Sequence, residues 1–235
     1  MKISKRLYKV TLFTMFFSSI LGCFNKEDDL QNVSPAQCAE VAAKKIKEMM
    51  WEMNFNDSHP MIYLDEILSC SPDEAQKYFI IKEVSNKFLD MTLSLRTQLN
   101  ANGSFENYLN FMSCILWRQQ KHGFSEDERI AFFWKGMEKY GEYVTADFSD
   151  NLFIGREQWQ KLDRILMCRR DGFVNSMKFM KRNLFDYYLK GVGEEKKEMI
   201  ECRFLEWYEQ INGKIKVLEE QRLQYKKRLS LPSSF

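Results

Sequence analysis

Residues 71–99 read SPDEAQKYFIIKEVSNKFLDMTLSLRTQL, and this stretch decides the fold class. Ser71-Pro72-Asp73-Glu74 is a helix-start signature. The serine hydroxyl caps the first free N–H groups, the proline sits where its missing N–H is no loss, and Glu74 can reach back to the cap. Behind it Tyr78, Phe79, Val84, Phe88, Leu89, Met91, Leu95 and Leu99 keep helical spacing, and Asn100-Ala101-Asn102-Gly103 closes the run. The expected helix covers 72–100.

The same marks recur outward from it. Ser34-Pro35-Ala36-Gln37 and Ser125-Glu126-Asp127-Glu128 are further capping boxes, and Ser104 before Phe105 is a simpler cap. Cys38, Val41, Ala42, Ile46, Met49 and Met53 line one face of the helix behind Ser34. Gly123, Gly172 and Gly191 stand where helix C-terminal glycines would, the first and third close behind Lys121 and Lys190. No stretch combines strict alternation with β-branched enrichment, so strands are not expected. About eight helices follow, near 35–54, 60–69, 72–100, 105–121, 126–142, 156–171, 173–190 and 194–229. The segment 143–155 is the least regular part. The boxes at 34, 71 and 125 are unevenly spaced and no tetratricopeptide consensus recurs. The fold expected is all-α, a single multi-helix bundle over 34–235.

In the last helix Ile211, Ile215, Leu218, Arg222, Tyr225 and Leu229 follow a heptad spacing that Arg222 interrupts. The reading preferred is an amphipathic helix lying on its own domain, with Lys226-Lys227-Arg228 favourably placed at its C-terminal end. Self-association through 211–229 is the alternative.

The N-terminus carries a different message. Residues 1–23 read MKISKRLYKVTLFTMFFSSILGC: a basic start, then an apolar stretch from Val10 to Leu21 that is too short for an ordinary span. The stretch closes on Ile20-Leu21-Gly22-Cys23 and is followed by the polar Asn25-Lys26-Glu27-Asp28-Asp29. This arrangement resembles a bacterial lipoprotein signal. The resemblance implies a signal peptide over 1–22, lipid on Cys23, and a lipidated tether over 23–33. By similarity to such lipoproteins, Phe24 rather than Asp after the cysteine implies the outer membrane, facing the periplasm, over the inner one. Several acyl chains, each methylene contributing ~0.8 kcal/mol, make the attachment effectively permanent. A flexible tether of about ten residues has a reach of about 17 Å and a ceiling near 35 Å, so the domain stays close to the membrane surface.

The formal net charge of +2 includes the basic residues of the signal, Lys2, Lys5, Arg6 and Lys9; without them the chain stands at about −2. That near-balance argues against nucleic acid as a partner. Five cysteines follow Cys23: Cys38, Cys70, Cys114, Cys168 and Cys202. In an oxidising compartment they read first as disulfide candidates, two bridges at most with one thiol left over. No metal is expected, because there is no Cys-x-x-Cys and His59 and His122 lack ligands at zinc spacing. No cofactor motif is present.

A search for catalytic residues yields none. Gly-x-Ser-x-Gly, a P-loop, a dinucleotide glycine fingerprint and His-Glu-x-x-His are missing. Cys114 and His122, two helical turns apart, would be separated by ~12 Å. The carboxylate pairs Asp65-Glu66, Asp73-Glu74 and Glu194-Glu195 fall in or at the start of helices, where negative charge is favourable or solvated. Trp51, Trp117, Trp134, Trp159 and Trp207 mostly read as core. Phe132-Phe133-Trp134 and Phe185-Asp186-Tyr187-Tyr188 carry aromatic bulk around more than one face. Phe132, Phe133, Trp134, Tyr187 and Tyr188 are therefore the candidate interface. The expected function is a membrane-tethered periplasmic protein-binding lipoprotein, an immunity-type or inhibitor protein occluding a toxin or lytic enzyme, and not an enzyme. The alternative is a structural lipoprotein of an envelope secretion or conjugation apparatus.

Overall fold

A computed structural model describes residues 34–40, 44, 62–70, 73–90, 104–145 and 156–230. Cys23, the tether, His59 and the expected loop beyond Thr145 lie outside the described residues. Residues 35–40 are helical. Then come α1 (Ile62–Cys70), α2 (Glu74–Leu89), α3 (Ser104–Lys121), α4 (Glu126–Val144) and α5 (Arg156–Asn183). A π-helical turn (Leu184–Tyr188) leads to α6 (Glu194–Ser230). Among the described residues there is no strand, and the all-α expectation holds.

Two of the three capping boxes form as written. Ser34 Oγ accepts from the Gln37 amide at 3.3 Å while Gln37 Oε1 accepts from the Ser34 amide at 3.0 Å. At α4 the Glu128 amide donates to Ser125 Oγ at 3.2 Å and the Ser125 amide to Glu128 Oε2 at 2.9 Å. The third cap falls two residues later than expected. Asp73 is the N-cap of α2, its carboxylate accepting from the Ala75 amide at 3.2 Å. A carboxylate at that place satisfies a free N–H and also faces the positive end of the helix dipole.

Gly123 and Gly191 take positive φ, +79° and +76°, and end α3 and the π turn as C-terminal glycines do. Gly172 does not. It lies inside α5, so the two helices expected at 156–171 and 173–190 are one element, and among the described residues the helices are one fewer than the eight expected. A mid-helix glycine costs about 1 kcal/mol. Phe173, Met177 and Met180 on the same stretch are all buried, and their packing outweighs that cost.

The core is organised around α3, which packs against α2, α4, α5 and the π turn. An aromatic series crosses the bundle through five elements. Phe88 of α2 stacks on Tyr108 of α3 with centroids 4.7 Å apart. Tyr108 leads to Tyr140 of α4 at 5.9 Å, and Tyr140 to Phe173 of α5 at 6.3 Å. Phe173 lies nearly parallel to Tyr208 of α6 at 5.7 Å. Each such pair adds about 0.5–1.5 kcal/mol beyond burial, so the series ties elements distant in sequence.

Polar links fix the helices lengthwise. The buried Arg118 guanidinium of α3 holds Asp65 of α1 through two hydrogen bonds, 2.9 and 2.5 Å, and also donates to the Cys114 carbonyl. Gln119 donates to Ser85 Oγ of α2 at 2.9 Å. The turn into α6 is latched to the start of α4. The Gly193 amide donates to Glu126 at 2.9 Å, Lys196 pairs with Asp127 at 2.6 Å, and Arg129 donates to the Lys190 carbonyl at 2.7 Å.

The expected disulfide bracing is not found: the described residues contain no disulfide. Cys114 is buried in the middle of α3, Cys202 is exposed on the outer face of α6, and Cys38 is half-buried near the start of the domain. The expectation came from the compartment. A bridge needs paired Cβ positions about 3.8 Å apart, and a thiol in the core cannot meet one on the opposite side of an outer helix. The side chains of Cys70 and Cys168 lie outside the description.

Candidate functional site

The expected interface divides at the π turn. On α4, Phe132, Phe133 and Trp134 are all buried, Phe133 completely. Phe132 lies 6.1 Å from Phe88 and Phe133 meets Trp134 edge-on at 5.2 Å. The outer face of Trp134 is covered by the Arg203 guanidinium of α6, 4.2 Å from the ring centroid. Tyr188 is buried beside Phe133 at 6.4 Å. These four side chains are core, because α4 is enclosed by α2, α3, α5 and α6. They offer a partner nothing.

Tyr187 is at the surface, 46 % exposed, and edge-on to Phe179, which is 50 % exposed, with centroids 6.0 Å apart. The π turn makes this placement. The Leu189 amide bonds the Leu184 carbonyl at 2.8 Å, an i→i+5 link that widens the turn. The altered phase puts Tyr188 and Leu189 inside and leaves Tyr187 outside, stacked back toward the last turn of α5. Lys178 precedes Phe179 on α5, Arg182 follows it by three residues and Asp186 precedes Tyr187, and all three are exposed. The result is an exposed aromatic pair with charges of both signs near it in sequence. The sequence reading found Tyr187 but missed Phe179, since nothing in the pattern marks the change of helical phase at Leu184.

Trp117 of α3 was read as core and is 48 % exposed. The Arg118 guanidinium lies 5.2 Å from its ring and the Lys121 ammonium 5.5 Å. Arg118 is itself fixed by Asp65, so the indole rests on an immobilised cation.

Several ionisable groups are committed to structure. Glu74 accepts from Lys77 at 2.7 Å and lies 2.9 Å from His122 Nδ1. Hydrogen bonds from Lys77, then from His122, lower its carboxyl to about 2. Tyr78 donates to Glu128 at 2.5 Å, which holds that carboxyl below its usual range and pushes the phenol up. Cys114 and His122 do not meet. Burial raises the Cys114 thiol, which suppresses the thiolate a nucleophile needs, while the His122 ring is engaged by Glu74. Of the carboxylate pairs, Asp65 serves Arg118, Asp73 caps α2, and Glu194 pairs with Lys197. Among the described residues no group of three or more His, Cys, Asp and Glu side chains is placed to hold a metal ion, and no helix is long and apolar enough to cross a membrane.

The heptad positions of α6 divide in the same manner. Ile211 and Ile215 are buried, along with Ile200 and Phe204, so over these positions the face lies on the domain. No protein-family model, no curated protein and no solved structure matches this chain.

Proposed function

We propose that this chain is a lipid-anchored protein-binding lipoprotein of the bacterial envelope, of the immunity or inhibitor kind, held through Cys23 at the periplasmic side of the outer membrane. The binding half of this reading is carried by the exposed Phe179–Tyr187 pair, with the exposed Lys178, Arg182 and Asp186 next to it in sequence. Exposed aromatics on a rigid helical support are the side chains that most often dominate binding energy, and a charged rim adds specificity and steering. The target surface that fits offers an apolar notch to the two rings. The mechanism is occlusion: the domain covers a toxin's or lytic enzyme's working face and performs no chemistry on it.

The anchoring half rests on the sequence ending Leu21-Gly22-Cys23. A tether of about ten residues keeps the binding surface within about 35 Å of the leaflet. A target arriving at that membrane therefore meets a high local concentration of the protein.

The test is a retention experiment from envelope extract with the parent and the double variant Phe179→Ala/Tyr187→Ala. The expected result is one soluble partner held one-to-one by the parent and retained at least about 100-fold more weakly by the double variant, the scale of two interfacial aromatic anchors. Deletion of the gene should be harmful only while the partner's gene is intact. Equal retention by parent and variant rejects this surface, and no retention by either rejects the binding reading.

A further inference from the structure

The start of α5 and the end of α6 leave the bundle together. Phe173 of α5 meets Tyr208 of α6 at 5.7 Å, and Arg170, a turn back in α5, pairs with Glu219, further along α6, at 2.8 Å. The two helices are therefore antiparallel, with the first turns of α5 beside the last turns of α6. Ile215 is the last buried side chain described in α6. The helix continues for ~22 Å beyond it, to Ser230. Phe173 is the first buried side chain described in α5, and before it Met167 and Asp171 are exposed. These two helix ends form an arm on the bundle.

The arm is basic on a chain that is otherwise acidic. Residues 213–230 hold six basic residues and two acidic ones, and 156–171 hold five and three. The arm therefore stands at +6, whereas the chain after Cys23 stands at about −2, which leaves about −8 on everything else. Ion pairs within the arm, such as Arg170–Glu219, leave that balance unchanged. Exposed apolar side chains stand among the charges: Met167, Val217 and Leu223, from 39 to 54 % exposed.

We infer that this arm rests on an anionic lipid surface and orients the tethered domain with its bundle turned away from the leaflet. Clustered Lys and Arg beside a bilayer are attracted to acidic headgroups within a Debye length, and apolar side chains between them enter the headgroup boundary. The acidic bundle is repelled by the same field, so both signs of charge favour one orientation. A bilayer is the occupant that fits because a tether of about ten residues confines the domain to within about 35 Å of one, a placement that rests on the lipid anchor proposed above. The orientation also serves binding. Phe179 lies ~35 Å along α5 from Arg156, so an arm on the leaflet carries the Phe179–Tyr187 surface away from the membrane, toward an arriving partner.

The test is amine footprinting of the full chain on vesicles, either of neutral phosphatidylcholine or of phosphatidylcholine mixed with phosphatidylglycerol. Lys214, Lys216, Lys226 and Lys227 of the arm, all exposed, are compared with the exposed Lys82 and Lys135 of the bundle. On the anionic vesicles the arm lysines should be modified at least about fivefold more slowly than on the neutral ones, and the bundle lysines equally on both; high salt should abolish the difference. Lys216→Glu/Lys226→Glu takes the arm from +6 to +2, and the protection of Lys214 and Lys227 should then fall below about twofold. Equal modification of the arm on the two vesicles overturns the inference. So does protection that follows protein concentration and not lipid, which would put the arm on the acidic bundle of a second copy, or protection brought only by added duplex DNA. Chain that floats with anionic but not with neutral vesicles rejects the anchor and keeps the arm, and chain that floats with neither rejects both.

Discussion

Ile211 of α6 occupies the space that Gly141 of α4 leaves open: a Cβ at Gly141 would stand 2.8 Å from Ile211 Cδ1 and 3.3 Å from the Trp207 ring. This contact seats the last helix on the bundle. Gly141→Ala should therefore lower stability by about 1–3 kcal/mol through overpacking, and Ile211→Ala by about 2–4 kcal/mol through cavity formation. Because both changes act on one contact, the double variant should cost less than the sum. Urea denaturation of the set checks this; strict additivity would mean that the two residues do not share a contact.

Ser125→Ala removes the hydroxyl half of the capping box that starts α4 and should destabilise by about 1 kcal/mol. Glu128→Gln should cost a similar amount, since it weakens the bond to the Ser125 amide and the acceptor for Tyr78 together. Thermal unfolding monitored at the helix band measures both. An unchanged midpoint for Ser125→Ala would show that the cap is satisfied by water at no loss.

Acid should expose the Glu74 contact. The hydrogen bonds from Lys77 and His122 lower its carboxyl from near 4.5 to about 2. A depressed carboxyl contributes stability that is present above its unfolded pKa and is lost as pH falls through the folded value. The loss attributable to Glu74 therefore falls between about pH 4.5 and pH 2. Glu74→Gln should flatten the midpoint-against-pH curve in that window relative to the parent. A parallel pair of curves would remove Glu74 from the acid response.

Thiol labelling separates the cysteines by environment. Cys202 is exposed and Cys114 is buried with its thiol raised by desolvation. Under native conditions Cys202 should react with an alkylating reagent within minutes, and Cys114 only on unfolding. Peptide mapping by mass spectrometry reads the two sites. Rapid native labelling of Cys114 would contradict its placement in α3.

Helix starts and stops were legible because they depend on neighbours in sequence. The Ser34–Gln37 and Ser125–Glu128 boxes and the glycines at 123 and 191 form as their local chemistry requires. So does the apolar face of α6 at Ile211 and Ile215. Features decided by distant neighbours were not legible. Gly172 reads as a stop, yet Phe173 is drawn into the aromatic series between Tyr140 and Tyr208, and the helix runs through. Phe132, Phe133 and Trp134 read as excess aromatic surface, yet Arg203, far along the chain, covers Trp134. The cysteines were read from an expected oxidising compartment, which says nothing of where Cβ atoms point. Tyr187 and Tyr188 are adjacent and opposite in fate because a π turn lies beneath them. The exposed Phe179–Tyr187 pair follows from that single change of helical phase.

Cys23 anchors the functional account, and its lipidation is the measurement that tests the account most directly. Cells are labelled with a fatty-acid analogue and fractionated, comparing the parent with Cys23→Ser. The parent should carry label and sediment with membranes, and the variant should lose the label and appear as precursor or soluble protein. A variant that still fractionates with membranes as fully as an unlabelled parent would contradict the lipid anchor and the envelope function built on it.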